Sequence, residues 1–182
     1  MAAGTYILND NFDLNRDLPP QELPKVKQSF LHWPPRKELL WQNTTLYRFV
    51  PASDQPLKQG KYSPYWIRKT TLDEIGRYHN DTKVPVPELA RSLLSVAFDF
   101  KTTMDSILEI RLKTQVYAFV GPARPLPVLM DPKKRTDLNP ELHSIQSQGR
   151  LEQVYLPELT PEYVISHRHL YLKQWGSSTF LY

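Results

Sequence analysis

Short apolar runs, most of them cut off by proline, set the pattern of this chain. Thr44 to Val50 reads Thr-Thr-Leu-Tyr-Arg-Phe-Val and stops at Pro51. Its β-branched and aromatic residues predict a strand. Gln115 to Val120 is a nearly continuous apolar run ended by Gly121-Pro122, which predicts a strand buried on both faces. Leu151 to Leu156, stopped by Pro157, predicts another strand. Tyr163 to Leu172 predicts a last one, with Val164, Ser166, Arg168, Leu170 and Leu172 sharing a face.

Helical spacing is confined to the middle. Leu89, Leu93, Val96, Ala97 and Phe100 make one apolar stripe over Pro87–Phe100, with Pro87 suited to a first turn. Met104, Ile107, Leu108 and Leu112 continue that spacing and predict a second helical segment. Thr71-Leu-Asp-Glu74 matches a capping box and predicts a short helix to about His79. Gln59-Gly60 supplies a turn. Helices in the middle with strands on both sides point to an α+β fold, not to strict βαβ alternation.

Residues 1–40 carry Leu18-Pro-Pro20, Leu23-Pro24 and Trp33-Pro-Pro35 with little periodicity. They predict a proline-rich arm, and Phe30, Trp33 and Trp41 predict that it packs on the body. Residues 41–182 are then one domain, as a length of 182 residues allows.

Composition narrows the chemistry. The absence of cysteine excludes disulfides, thiolate metal sites and a cysteine nucleophile. Seventeen prolines against six glycines, with neither GxGxxG nor GxxxxGK[ST], exclude a glycine-loop nucleotide fold. A net charge of +4 permits an acidic partner without requiring one. No apolar run approaches a membrane span, and the start lacks a basic-then-apolar leader. The expectation is a soluble protein without membrane association, cytoplasmic or exported without a cleavable signal.

Three segments carry candidate chemistry. Arg48, between aromatic residues on a core strand, suits either a structural ion pair or a phosphate clamp. Gly60-Lys-Tyr-Ser-Pro-Tyr-Trp66 crowds Tyr62, Tyr65 and Trp66 around a turn, where they either plug the core or stack on a planar heterocycle. Glu152-Gln153 opens an apolar strand, at an exposed position or at the mouth of a cleft. His167 and His169 share a strand face but lack a third ligand nearby, so no metal site is expected; His32, His79 and His143 are isolated. Lys133-Lys-Arg135, with Arg124 and Arg150, reads as a solvated loop that would at most guide a nucleic-acid acceptor. GxSxG is absent.

Taken in order, Leu-Tyr-Arg48-Phe, the aromatic-serine loop, Val-Tyr-Ala-Phe-Val-Gly-Pro-Ala123 and Glu152-Gln-Val-Tyr-Leu-Pro157 resemble the ADP-ribosyltransferase superfamily of bacterial toxins and effectors. The resemblance spans about residues 44–166. It implies a split mixed β-sheet core with a few helices, binding NAD as substrate without a glycine loop. It implies that Arg48 holds the NAD phosphates or the adjoining ribose. Tyr62, Ser63, Tyr65 and Trp66 would shape the nicotinamide pocket, with Tyr65 or Trp66 stacked on the ring. A glutamate of the third element would bind the nicotinamide ribose hydroxyl. The chain departs from the family there: the Gln/Glu-x-Glu slot ends in Gln153, and Glu152 is one residue out of register, on the opposite face of a regular strand. Glu152, Gln153 and the upstream Glu141 all remain candidates for it. The implied activity is cleavage of the nicotinamide–ribose bond and transfer of ADP-ribose to a protein or nucleic-acid acceptor. Its variants are an NAD glycohydrolase of the same fold and a non-enzymatic interaction module that has lost the glutamate. An antitoxin or immunity protein is the implied partner.

Overall fold

The computed structural model describes residues 7–51, 53, 55, 57, 58, 60–94, 104–124 and 151–172. In chain order the elements are α1 (Leu14–Asp17), α2 (Leu23–Ser29), β1 (Arg36–Leu40), β2 (Thr45–Val50), β3 (Leu57–Lys58), β4 (Lys61–Tyr62), β5 (Tyr65–Trp66), α3 (Lys69–Thr82), α4 (Val86–Leu93), β6 (Ser106–Leu112), β7 (Val116–Pro122), β8 (Glu152–Tyr155) and β9 (Val164–Tyr171), with a 3-10 turn at Pro161–Tyr163. The class is α+β.

Among the described residues the main strands form a four-stranded sheet, β1-β7-β8-β5, and a three-stranded sheet, β2-β6-β9. Every ladder between these strands is antiparallel, whereas the sequence suggested a mixed core. The parallel element is an isolated bridge, Leu8 to Val116. A further isolated bridge, Tyr47 to Ile67, ties the end of β5 to β2 and so joins the two sheets.

Side-chain alternation assigns each sheet an inner and an outer face. Leu46 and Val50 of β2, Leu108 and Ile110 of β6, Val116, Ala118 and Val120 of β7, and Val154 of β8 share one core with Tyr62 and Trp66. That core lies between the two sheets. The outer face of the three-stranded sheet presents Tyr47, Phe49 and Ile107 to α3 and α4, through Leu72, Ile75, Leu89 and Ala90. The outer face of the four-stranded sheet presents Phe119 and Tyr155 to Leu14, Leu18, Val26 and Phe30. The order of layers is N-terminal segment, sheet, sheet, helix pair.

The N-terminal segment packs on the body, but it is not a plain strap. Asp13 caps α1 by accepting from the amides of Asn15 and Arg16 at 2.9 and 3.0 Å. Its last residues are strand β1, paired with β7 from Arg36–Val120 to Leu40–Val116. The boundary expected at residue 40 therefore leaves one strand of the four-stranded sheet in the arm. Gly121 shows how closely the layers meet: a Cβ there would lie 3.2 Å from the Phe30 ring and 3.3 Å from Pro35. Gly60, at φ +76°, makes the turn between β3 and β4.

The segment Ser106–Leu112 is a strand, not the second helical segment that its spacing suggested. Strands β2 and β9 flank its edges; Leu108, Ile110 and Leu112 face the core between the sheets, and Ile107 on the other face meets the helix pair. With Ile107 apolar on one face and Leu108 and Leu112 on the other, so short a run also fits helical spacing. The helix at 87–100 is observed as Val86–Leu93; positions 95–100 lie outside the described residues. The capping box is not formed. Helix α3 starts at Lys69, two residues before Thr71, and continues to Thr82, where Lys83 turns it off at φ 61°. Thr71 Oγ1 instead donates to the main-chain oxygen of Glu152 at 2.9 Å, fastening α3 to β8.

Candidate functional site

Strand β8 presents consecutive side chains to opposite faces. Glu152 shares the face of Val154, towards the space between the sheets, at its rim. Gln153 shares the face of Tyr155, under the N-terminal segment. The structure thus separates the two candidates of the third element. Gln153 is buried, and its Nε2 donates to the Ser29 carbonyl at 2.5 Å. Its amide fastens the arm to the sheet and is turned away from Glu152.

Glu152 is half-buried and held by Arg36 through two parallel hydrogen bonds, Nη1 to Oε1 at 2.6 Å and Nη2 to Oε2 at 3.1 Å. Arg36 also pairs with Glu38 at 3.2 Å, and Glu38 accepts from Arg68. The four charges form a chain across β1, β8 and the residue that precedes α3. Hydrogen bonding from Arg36 outweighs the opposing effect of burial and holds the Glu152 carboxyl below its ordinary range, with added help from the charges of Arg36 and Arg68. Arg36 is raised by the same contact.

Arg48 is half-buried in β2, opposite Leu108 of β6. Alternation places it with Leu46 and Val50 on the inner face, and it adjoins the Tyr47–Ile67 bridge, next to Trp66. Trp66 in turn pairs with Val154, two residues from Glu152. Trp66 and Glu152 therefore share the inner face of the four-stranded sheet, and Arg48, on the inner face of the three-stranded sheet, adjoins Trp66 through the Tyr47–Ile67 bridge. Tyr62 reaches the same core: its ring meets Trp66 edge-on at 6.1 Å, and its hydroxyl lies 3.1 Å from His167 Nδ1. Burial raises the Tyr62 phenol above its ordinary value. Ser63 is half-buried on the link between β4 and β5.

The aromatic loop does not act as one unit. Trp66 is only 1% exposed and belongs to the core, so its ring offers no open face for stacking. Tyr65 points the other way, packing edge-on against Tyr155 at 5.1 Å under the arm. Burial raises its phenol, and a hydrogen bond with Ser29 acts in the opposite direction. Arg48, Tyr62, Trp66 and Glu152 are on the inner side; Tyr65 and Gln153 are on the arm side.

Two buried ring nitrogens on the inner side stand out. Trp66 Nε1 and His169 Nδ1 have no hydrogen-bond partner among the described residues. His169 is in the same cross-strand row as Leu108 and Arg48. An unpaired buried polar atom costs about 1–3 kcal/mol. Among the described residues, no three His, Asp or Glu side chains are placed to hold a metal. Arg124 donates to the Phe30 carbonyl at 3.1 Å, which gives it a structural role at the arm. Glu141, Lys133, Lys134, Arg135 and Arg150 lie outside the described residues.

A separate cavity of about 430 Å³ lies between the N-terminal segment and the stretch after β8, lined by Leu8, Asn9, Phe12, Asp17, Glu158, Glu162 and others. It contains none of the candidate residues, and two of its three carboxylates, Asp17 and Glu158, are already paired with Arg16 and Lys61. Among the described residues no helix is long and apolar enough to cross a membrane.

Sequence reasoning missed Arg36, Glu38 and Arg68. The signal was the alternation Arg36-x-Glu38 in a strand, hidden because the segment was read as part of an arm.

No family model matches this chain, and no curated protein matches it. Among solved structures, Rhs1-CT in complex with its cognate immunity protein RhsI1 is similar over 75% of this chain and 80% of that chain, at 17% identity and a TM-score of 0.44. Similarity at that level carries no inference about the activity or partners of this chain.

Proposed function

We propose that this chain is an NAD-consuming effector domain of ADP-ribosyltransferase type. The observation that supports it best is the space between the sheets, into which Glu152, held by Arg36 at the rim of one sheet, and Arg48, on the inner face of the other, both point. Those are the residue types that the reaction asks for at its two ends. Arg48 offsets the pyrophosphate charge and fixes the substrate.

At the other end the bond from C1′ of ribose to the nicotinamide nitrogen breaks. Both electrons leave with nicotinamide, which departs neutral, and C1′ becomes oxocarbenium-like, as in glycoside cleavage. Glu152 accepts a hydrogen bond from the ribose hydroxyl and stabilises that positive charge. A lone pair of the acceptor then bonds to C1′, and the acceptor loses a proton. Where water is the acceptor the product is free ADP-ribose and the activity is a glycohydrolase. Gln153 and Tyr65 are given no contact with NAD in this reading, because they face the arm. An antitoxin or immunity protein as partner follows from the sequence resemblance alone.

The test is nicotinamide release from NAD by the purified chain, with labelled NAD to separate free ADP-ribose from a modified acceptor. Glu152→Gln is expected to lower release by about 100-fold or more, with an unchanged melting temperature. Neither release nor NAD binding by the wild type would overturn the enzyme reading in favour of an interaction module.

A further inference from the structure

We propose that Arg36 is the positioning residue of Glu152, fixing the plane and the ionised state of the carboxylate that the proposed reaction uses. This inference rests on the NAD-consuming reading of the site.

The geometry is that of a fork on a carboxylate, with one guanidinium nitrogen on each oxygen at 2.6 and 3.1 Å. Arg36 and Glu152 are 116 positions apart in sequence and meet because β7 separates their strands in the sheet. An ionised carboxylate has about four lone-pair sites, so a fork that takes two leaves two for a ribose hydroxyl. Arg36 therefore orients Glu152 without blocking it. Glu38 and Arg68 hold the fork from the far side: Arg36 bonds Glu38, and Glu38 bonds Arg68. The Thr71 hydroxyl fixes the backbone of Glu152 from α3. The charged groups that face the pair are thus Glu38 from the strand of Arg36 and Arg68 from the start of α3; β7 contributes Pro122 opposite Glu152.

The position of Arg36 argues against a purely structural purpose. Its side chain is 51% exposed, and an exposed pair adds little to stability, so fastening β1 to β8 does not need it. What the contact does supply is a carboxylate locked in one rotamer and kept charged at lower pH.

Two measurements on the full chain test this. The first is the titration of the Glu152 carboxyl, followed by carbon NMR in wild type and Arg36→Gln. The second is the pH profile of nicotinamide release for wild type, Arg36→Gln, Arg36→Lys and the surface control Arg16→Gln. In Arg36→Gln the Glu152 carboxyl is expected to titrate at higher pH. The acidic limb of kcat/KM is expected to move with it, and kcat to fall about 10- to 100-fold. Arg36→Lys should keep the limb near its wild-type position while recovering only part of kcat, because lysine restores the charge but not the fork. Arg16→Gln should match wild type. An unmoved titration, or an acidic limb and kcat unchanged in Arg36→Gln, overturns the proposal. If the wild type releases no nicotinamide, the catalytic role falls with the NAD reading; a titration that still moves identifies that reading as what failed.

Discussion

The two faces of the four-stranded sheet treat polar groups in opposite ways. Under the arm, the buried polar groups are neutral: Gln153 bonds the Ser29 carbonyl, and Tyr65 and Tyr155 lie against each other among apolar neighbours. The charges there, Lys37 and Arg124, bond main-chain oxygens of the arm. Towards the other sheet, the core is apolar in its depth but ends in a rim of charges, Arg36, Glu38, Arg68 and Glu152. The difference follows from the cost of burial. A neutral amide can be buried for the return of one hydrogen bond, whereas an ionised group must stay near water or keep a close partner. Reactive charge is therefore found at the rim, and the arm face is a seal.

If the arm is a seal, its removal should be the most damaging change to stability. Phe30 is fully buried between Gly121 and the apolar residues of α1 and α2. Phe30→Ala is expected to destabilise the fold by about 3–5 kcal/mol, read from urea unfolding. A loss below about 1 kcal/mol would show that the N-terminal segment is an accessory strap.

Gln153 sharpens the same contrast at smaller scale. Gln153→Ala removes one of the two donors to the Ser29 carbonyl, which keeps the Arg124 amide at 2.8 Å, and should cost about 0.5–1.5 kcal/mol. The denaturation midpoint should fall, and nicotinamide release per folded molecule should fall far less than in Glu152→Gln. The reverse result, activity lost in Gln153→Ala and kept in Glu152→Gln, would assign the reactive face to the arm side and invert the comparison.

How much of this was legible in the sequence depended on whether a residue's surroundings were local. Strands β2, β7 and β8 were readable because proline or glycine marks their ends and their composition is β-favouring, and β9 through its alternating pattern. Strand β6 was missed although Leu108-Glu109-Ile110-Arg111-Leu112 alternates, because Met104, Ile107, Leu108 and Leu112 also fit helical spacing over so short a run. Strand β1 was lost among the prolines of the arm. For the site, alternation alone showed that Glu152 and Gln153 must point apart, but not which of them meets the inner wall. That depends on pairing with β7 and β5, which no local pattern encodes. The aromatic loop was read as one pocket wall for the same reason: Tyr65 and Trp66 are neighbours in sequence and belong to opposite faces in space. The Arg36–Glu152 fork joins residues 116 positions apart and has no sequence signal at all.

The smallest effect concerns the charged rim itself. The folded state holds the Glu152 carboxyl below its ordinary value, so the unfolded chain binds the proton more readily than the folded one. The contribution to stability is then present above the unfolded value, and it is lost as pH falls through the folded value. Glu152 is 34% and Arg36 51% exposed, so solvent screening keeps the pair to about 0–1 kcal/mol. A double-mutant cycle of Arg36→Gln and Glu152→Gln should return a coupling of that size by urea unfolding at neutral pH, shrinking below the ordinary carboxylate range and under high salt. The arm-face variant Gln153→Ala removes no charge, and its cost should stay nearly constant over the same pH range. A coupling that is insensitive to pH would mean that the rim residues act through packing, as the arm face does, and the contrast between the two faces would lose its electrostatic basis.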